Sequence, residues 1–460
     1  MEKGEKKMKK QVIGILFSLL LVIGGCNQAE MIEDENPQQS DVIKIELSDE
    51  EILVNGELIS EKQENGVYVG NDIVYYEEGT DEAYGEGDES DMHSAEEANQ
   101  HQVIHITEAG DYVVSGSLSY GQILVDLGED SKDDPTAVVN LTLDNVDLTS
   151  SVASAILVVN AYECADEEVS EVVDLSDAGF NLILADGSIN QINGSHVAKI
   201  YEEGTSDKKY KYDAAIESLV SFNMKGNGQL NVIADNEGIE TGMHLMIDGG
   251  VFNIESSDDA FNASEDGISV ITINDGEVYA NAVLGNEGDG IDSNGWIVIN
   301  GGTVVAKANA KSADSGLDAD NGIYLNGGTV LAFGSMQNGI AVDSQQNYAT
   351  LNMSQNINEN HTIAIKQNDE FIVVFELEDS YSSIIYSSAD LSQEDVEFYT
   401  VESLEGELKH SLYYDVTDMV IKEQLQNQDG FKPDKERPDE PKRQEPPVEG
   451  QKPPVEKPQD

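Results

Sequence analysis

The sequence predicts an all-β protein whose body is a right-handed parallel β-helix, a solenoid closed by a small C-terminal β cap. Glycine recurs every 26 residues, at Gly250, Gly276, Gly302 and Gly328. Apolar and polar residues alternate on both sides of each glycine, and no helical period separates these segments. Short strands in a repeat of this length favour a coil of parallel strands with one turn per repeat.

Each repeat places a corner between two strands. The corners read Asp248-Gly249-Gly250, Asn274-Asp275-Gly276, Asn300-Gly301-Gly302 and Asn326-Gly327-Gly328. These residue types accept the positive φ that a sharp corner requires. Ile297 and Ile299 precede the third corner, and the same alternation resumes after it, so one face of each strand is expected to be buried. The solenoid is predicted for residues 100–350 and the cap for residues 351–425.

The N-terminus resembles a bacterial export signal. The first ten residues are rich in lysine, and the run from Val12 to Gly24 is apolar, uncharged and too short for a stable membrane span. It ends in Ile23-Gly24-Gly25-Cys26, which matches the lipoprotein signal in which the cysteine receives the lipid. Residues 1–25 are therefore predicted to be a lipoprotein signal peptide, with lipidation at Cys26. An ordinary cleaved signal followed by an incidental cysteine is the alternative.

The other segments follow from composition. Residues 26–41 are predicted to be a spacer, and residues 42–99 an N-terminal β segment with an acidic, aperiodic insertion after Asp72. Eight of the ten prolines lie in residues 431–460, interleaved with charged residues, which favours extended chain. Residues 426–460 are expected to be a disordered tail, and the cell wall is a candidate partner for it. The predicted location is the extracellular face of the bacterial cell membrane, held there by the lipid.

The charge balance excludes one class of partner. Without the predicted signal and the residues after position 430, 13 basic residues stand against 80 acidic ones. Nucleic-acid binding is excluded, because phosphate recognition needs a basic surface. A chain this negative repels itself when it is compact, and divalent cations would offset that repulsion.

An acidic motif recurs about ten residues before each corner. It reads Glu237-Gly238-Ile239-Glu240, Asp289-Gly290-Ile291-Asp292 and Ser315-Gly316-Leu317-Asp318. In stacked coils, equivalent positions lie about 4.8 Å apart. The carboxylates are expected to point outward in one row, formed by Glu217, Glu240, Asn262, Asp292 and Asp318. No basic residue forms a recognisable pair with these motifs.

Such a row predicts several Ca²⁺ sites, because calcium accepts six to eight oxygen ligands in flexible geometry. The candidate ligands are Glu217, Asp235, Glu240, Asp258, Asp259, Asp289, Asp292, Asp314 and Asp318. The alternative is a solvated acidic face without metal, since single Asp-Gly pairs are ordinary turn residues.

The segment from Ile43 to Leu351 resembles a family of bacterial carbohydrate-binding β-helix proteins with pectate-lyase-like architecture. The resemblance lies in Ile106 to Leu118, in Leu141 to Ser151, and in the Asp-Gly-Ile and Asn-Gly-Gly-Thr repeats. It implies calcium-dependent, non-catalytic binding of plant-type or acidic polysaccharide at the cell surface.

Two other functions remain open. A polysaccharide lyase or hydrolase can use the same fold, and a structural or adhesive surface role needs no sugar site. The two arginines, Arg437 and Arg443, both lie in the tail, so a lyase would have to replace its usual arginine base with a lysine such as Lys225, Lys307 or Lys311. Candidate sugar-stacking residues are Tyr279, Trp296 and Tyr324, at positions expected to face outward or to flank a corner.

Overall fold

The computed structural model describes residues 42–78, 84–165, 169–336, 339–357, 361–392 and 396–427. The predicted signal peptide, Cys26, the spacer and nearly all of the predicted tail lie outside these residues. The predicted all-β class is confirmed, since helix in the described part is confined to α1 (Ala95–Ala98) and short 3-10 turns at Gln63–Asn65 and Glu129–Asp133. Within the same part, no helix has the length and apolar character needed to span a membrane.

The first strands run from the N-terminal segment to the middle of the chain. They are β1 Ile43–Leu47, β2 Leu53–Val54, β3 Glu57–Leu58, β4 Val67–Gly70, β5 Gln102–Ile106, β6 Gly110–Leu118, β7 Gly121–Asp126, β8 Val139–Thr149, β9 Ile156–Asn160, β10 Phe180–Leu184, β11 Ile189–Gly194, β12 Val197–Tyr201, β13 Lys208–Tyr212, β14 Ala214–Ser218, β15 Phe222–Gly226 and β16 Gln229–Ala234.

The remaining strands cover the regular repeat and the C-terminal part. They are β17 Glu237–Thr241, β18 His244–Glu255, β19 Phe261–Ala263, β20 Val270–Asn281, β21 Ile291–Ser293, β22 Trp296–Ile299, β23 Thr303–Lys307, β24 Leu317–Ala319, β25 Gly322–Leu325, β26 Thr329–Gly334, β27 Tyr348–Ile357, β28 His361–Gln367, β29 Glu370–Leu377, β30 Tyr381–Ser387, β31 Val396–Lys409 and β32 Leu412–Gln424.

Two large sheets share one core. In the larger sheet, Ile271 of β20 pairs in parallel with Ile297 of β22, which pairs in turn with Ile323 of β25. In the smaller sheet, β14, β17, β19, β21 and β24 follow one another in parallel. The chain thus contributes to both sheets in each repeat. Ile239 and Ile291 of the smaller sheet join Ile271 and Ile297 in the same buried apolar cluster.

The glycine corners stack on one another. Gly302 has φ of 76°, and a Cβ atom added there would lie 2.5 Å from the carbonyl oxygen of Gly276 in the preceding repeat. An asparagine ladder runs beside these corners. The side-chain amide of Asn300 donates to Asn274 at 2.9 Å, and that of Asn326 donates to Asn300 at 3.0 Å. Glycine is therefore required both by the backbone conformation and by the close approach of the neighbouring coil.

A hairpin interrupts the repeat and was not predicted. Strands β12 and β13 form a separate two-stranded antiparallel sheet between β11 and β14. The segment after Asp72, expected to be an aperiodic loop, packs against this hairpin. Ile73, Tyr76 and Ala98 share a buried cluster with Val197 and Tyr212.

The C-terminal part changes to antiparallel pairing. Strand β30 pairs antiparallel with β26 and β27, so it covers the last edge of the repeat. Strands β28, β29, β31 and β32 form a closed four-stranded barrel. The predicted start of the cap, at residue 351, falls inside β27, because that strand begins at Tyr348.

Candidate functional site

The acidic row lies along the smaller sheet. Its neighbours are paired in parallel register, as Glu217 with Glu240, Glu240 with Asn262, Asn262 with Asp292, and Asp292 with Asp318. Each acidic position follows a buried apolar residue such as Ile239, because successive side chains of a strand point to opposite faces. The structure thus places five side chains in one row outside the shared core.

The end of the row that comes first along the chain is buried, contrary to the expectation that the carboxylates point outward into solvent. Glu217 is 2% exposed and Glu240 is 6% exposed. The unpredicted hairpin supplies part of the cover. Lys211 of β13 forms an ion pair with Asp213 and interacts electrostatically with Glu240 and Glu237. The expectation that no cation would accompany these charges is therefore wrong at this end of the row.

Three carboxylates meet at this buried end. Ligand oxygens of Asp213, Glu237 and Glu240 all lie within 4.8 Å of one another, and all three residues are buried. Asn262 donates from Nδ2 to Glu237 Oε1 at 3.0 Å. Within the described residues, Glu237 Oε2 and Asn262 Oδ1 are buried and accept no hydrogen bond. We call these three carboxylates the buried group.

Burial makes the ionised state of these side chains costly. It raises the pKa of Glu217 and Glu237 well above the usual value, and the charge of Glu240 raises both further. Burial also raises the pKa of Glu240, with the charge of Asp213 as the next cause. The ion pair of Lys211 with Asp213 offsets only part of this cost. Without a further cation, the remaining carboxyl groups must retain protons or repel one another.

A second group of carboxylates lies further along the same row, towards the C-terminus. Oxygens of Asp289, Asp292 and Asp318 also lie within 4.8 Å of one another, and these residues are half-buried. Burial and then the charge of Asp318 raise the pKa of Asp289 to about 8 and that of Asp292 to about 7. The backbone N–H of Ser315 donates to Asp289 Oδ1 at 2.5 Å. We call these three carboxylates the half-exposed group.

Three other predicted ligands flank this group. Asp259 Oδ1 accepts the backbone N–H of Asp289 at 2.6 Å, and Asp314 Oδ2 accepts that of Gly288 at 2.8 Å. Burial raises the pKa of Asp258, and the charges of Glu287 and Asp314 raise it further. Asp259 and Asp314 therefore fix the loop that carries Asp289, while all three add negative charge around it.

Asp235 takes a different place from the one predicted. Its oxygens accept from Ser195 Oγ at 2.6 Å and contact His196 Nδ1 at 3.1 Å. The other ring nitrogen of His196 contacts Asp91 at 3.1 Å. Among the described residues, Asp235 belongs to neither carboxylate group, because the side chains of residues 195 and 196 already bind both of its oxygens.

Sequence reasoning missed two members of the buried group. Glu237 occupies the first position of its motif, as Asp289 does in the later copy, so that equivalence was visible in the repeat. Asp213 had no such signal, because it lies between β13 and β14, outside any repeating pattern. The two groups contain only oxygen donors, and the orphaned Glu237 Oε2 adds an unsatisfied acceptor. This donor set suits a hard cation such as Ca²⁺.

The predicted sugar-stacking residues have unequal exposure. Tyr279 is 2% exposed, and its ring stacks on His410 with centroids 3.5 Å apart. It therefore does not present a ring to solvent, because the turn between β31 and β32 covers it. Trp296 and Tyr324 are half-buried against a small apolar cluster. Tyr324 lines an open cleft of about 440 Å³, together with the ladder residues Asn300 and Asn326.

Residues 100–376 match the family model described as carbohydrate-binding domain-containing protein. This segment covers more than half of the 460-residue chain. The chain therefore belongs to this carbohydrate-binding domain family, on an all-β fold with an acidic row along one sheet.

A relative from Acetivibrio thermocellus, also described as a carbohydrate-binding domain-containing protein, is 34% identical over 155 residues. The match covers 33% of this chain and 45% of that relative, which is less than half of its length. A solved structure of the polysaccharide lyase-like protein from C. thermocellum, a gadolinium derivative, is 20% identical with a TM-score of 0.38. That alignment covers 63% of this chain and 90% of the other.

Proposed function

We propose that this protein binds acidic or plant-type polysaccharide without cleaving it, through calcium ions held by the acidic row. One observation carries the calcium part of the proposal, namely the buried group with its orphaned Glu237 Oε2. Burying an ionised carboxylate costs several kcal/mol in lost hydration. Leaving a buried charge without its partner destabilises a protein by about 3–5 kcal/mol. A bound cation turns this cost into coordination.

The two groups have different roles in this proposal. The buried group is closed to a polymer, so its ion stabilises the stacked coils. The half-exposed group leaves one side of its ion open, and a uronate carboxylate of the glycan can complete the coordination shell. Calcium tolerates such a mixture because it takes six to eight oxygens without strict geometry. The ion also reverses the local field that would repel an acidic polymer.

The proposal includes a right-handed parallel β-helix as the scaffold. It is supported by the parallel register of successive repeats in both sheets and by the stacked glycine corners. Right-handed connection between parallel strands is the general rule, because it follows from the twist of the strands. The antiparallel strand β30 and the four-stranded barrel then form the cap.

The cleft lined by Tyr324 is a second proposed contact surface for the glycan. Its half-buried aromatic ring lies among amide side chains, which donate to and accept from hydroxyl groups. Trp296 lies on the neighbouring coil, where it pairs with Gly322 at the start of β25 and packs against the same small apolar cluster as Tyr324. Tyr279 has no role in this surface, because its ring is covered.

The proposed location is the extracellular face of a bacterial membrane, with lipid on Cys26 as the anchor. The proline-rich tail would then contact the cell wall. The signal pattern at residues 1–25 and the composition of residues 426–460 support these two partners.

Capture of the purified protein on insoluble polygalacturonate, with calcium or with chelator, tests the proposed function. We expect capture in calcium and its loss in chelator. The double variant Asp292→Asn/Asp318→Asn should lose calcium-dependent capture. Glu265→Gln should retain capture. Glu265 is exposed and belongs to neither group, so this substitution removes one charge from the same region of the chain without changing a predicted ligand.

Equal capture with calcium and with chelator would overturn the calcium role, and absence of capture would overturn acidic-polymer binding. Unsaturated or new reducing ends in the supernatant would establish a lyase or hydrolase instead. If the purified protein binds other surface proteins and binds no glycan, the adhesive role would be established instead.

A further inference from the structure

A second cleft lies between the segment after Asp72 and the β12–β13 hairpin. None of its lining residues belongs to the acidic row. Its volume is about 540 Å³, within the roughly 300–1,000 Å³ typical of small-ligand sites. Four half-buried tyrosines line it, Tyr75, Tyr84, Tyr201 and Tyr210. No sequence pattern pointed to this cleft, because its two walls come from separate parts of the chain that lie outside the repeat.

The two walls are fixed to each other by backbone contacts. The N–H of Tyr201 donates to the carbonyl of Tyr84 at 2.8 Å, and the N–H of Glu86 donates to that of Lys199 at 2.9 Å. Beneath the cleft, Tyr76 packs edge-on against Tyr84 with ring centroids 5.3 Å apart. The two walls and the Tyr84 ring are therefore held in place before any ligand arrives, which reduces the entropy lost on binding.

The polar groups of the cleft select the class of ligand. Two exposed carboxylates, Glu77 and Glu203, line it together with one exposed cation, Lys209. Carboxylates accept hydrogen bonds from sugar hydroxyls but repel a uronate. Lys209 lies over the Tyr210 ring, with Nζ 5.0 Å from the ring centroid. Aromatic faces with hydroxyl acceptors at the rim fit an uncharged pyranose.

From this geometry, and resting on the proposed carbohydrate-binding function, we infer that the tyrosine cleft binds neutral pyranosides without calcium. Strand β13 contributes both to this cleft and to the surroundings of the buried group. Lys209 and Tyr210 line the cleft, whereas the next residue, Lys211, interacts with the buried group. The hairpin thus carries a sugar contact and, at the neighbouring residue, a charge partner of the buried carboxylates.

Calorimetric titration of the full protein with cellohexaose in chelator tests this inference. Wild type should bind, and Tyr201→Ala/Tyr210→Ala should lose about tenfold or more in affinity, equivalent to roughly 1.4 kcal/mol. Tyr210→Phe should stay within about threefold of wild type, because the ring face remains. Tyr414→Ala removes a tyrosine that is 43% exposed on β32 and should bind as wild type.

Melting temperatures are measured on the same samples. Should the double variant fail to fold, Tyr201→Ala alone replaces it, since the Tyr201 side chain contacts the exposed Glu86 through its hydroxyl and Lys199 through its ring face, both at the surface. Unchanged cellohexaose affinity in a folded tyrosine variant overturns the inference. So does a wild-type protein that captures polygalacturonate in calcium but ignores cellohexaose, which leaves the proposed function intact. Failure to bind either glycan overturns both.

Discussion

Glu237 combines burial, a missing partner and two charged neighbours in one side chain. It is 7% exposed, one of its oxygens accepts from Asn262, and the other accepts no hydrogen bond among the described residues. Asn262 is the neutral member of the row and lies between the buried and half-exposed groups. Its amide reduces the repulsion that a fifth carboxylate would add. The row therefore divides into two carboxylate groups rather than a continuous acidic strip.

The raised pKa values predict how pH acts on the metal-free protein. The pKa of Asp289 rises from 3.8 to about 8 and that of Asp292 to about 7. The folded state binds these protons more tightly than the unfolded state does. The contribution of Asp289 and Asp292 to the stability of the fold is therefore greatest below about pH 4. It falls as pH rises through 7 and 8. Melting in chelator should therefore occur at a lower temperature at pH 8 than at pH 5.5.

Calcium should reverse this pH dependence, because metal and protons compete for the same oxygens. The gain in melting temperature on adding calcium is expected to be larger at pH 8 than at pH 5.5. Asp289→Asn should flatten the metal-free profile, whereas Glu265→Gln should leave it as in wild type. A metal-free protein that becomes more stable from pH 5.5 to pH 8 would contradict the assignment.

Residue-level prediction from the sequence depended on the repeat. The register of Glu240, Asp292 and Asp318 was predictable because their motifs recur at the same point of successive coils. The proximity of Asp213 and Lys211 was not, because a hairpin outside the repeat brings them there. The burial of Tyr279 was likewise hidden, since its cover includes His410 from a distant part of the chain.

At the scale of elements, the stacked corners predict where the repeat is least tolerant of change. Gly302→Ala should destabilise the protein by more than Gly187→Ala does. Both glycines have positive φ, of 76° and 72°, but a Cβ at position 187 meets no atom within 4 Å. The difference isolates the clash with Gly276, and overpacking of this kind costs about 1–3 kcal/mol. Urea unfolding of both variants measures it, and equal losses would contradict the role of stacking.

The elements themselves were predictable in proportion to their regularity. Strands β20 to β26 follow from the 26-residue spacing of the corners and the alternation around them. The β12–β13 hairpin has no counterpart in other repeats, so its alternating lysines and tyrosines gave no register. The closed barrel depends on pairing between β28 and β31, which are far apart in sequence. Local patterns carry little information on such long-range antiparallel contacts.

At the scale of the whole molecule, the formal net charge of −65 makes the chain repel itself and other anionic surfaces. A lipid anchor would hold this acidic protein against an anionic membrane surface that otherwise repels it. Cys26→Ser should release the protein into the medium, because export continues while lipid attachment is lost. Fractionation of cells and medium measures this. Full membrane retention of the variant would contradict the lipoprotein assignment, and Cys164→Ser should change nothing.

The most direct measurement of the central claim is an equilibrium calcium titration of wild type, Glu237→Gln, Asp292→Asn and the double variant. Two ions should bind to wild type, one to each single variant and none to the double variant. At calcium a hundredfold above Kd, each ion should stabilise the folded state by about 2.7 kcal/mol. No saturable binding to wild type, or the same stoichiometry in the double variant, would contradict the claim that these carboxylates hold calcium.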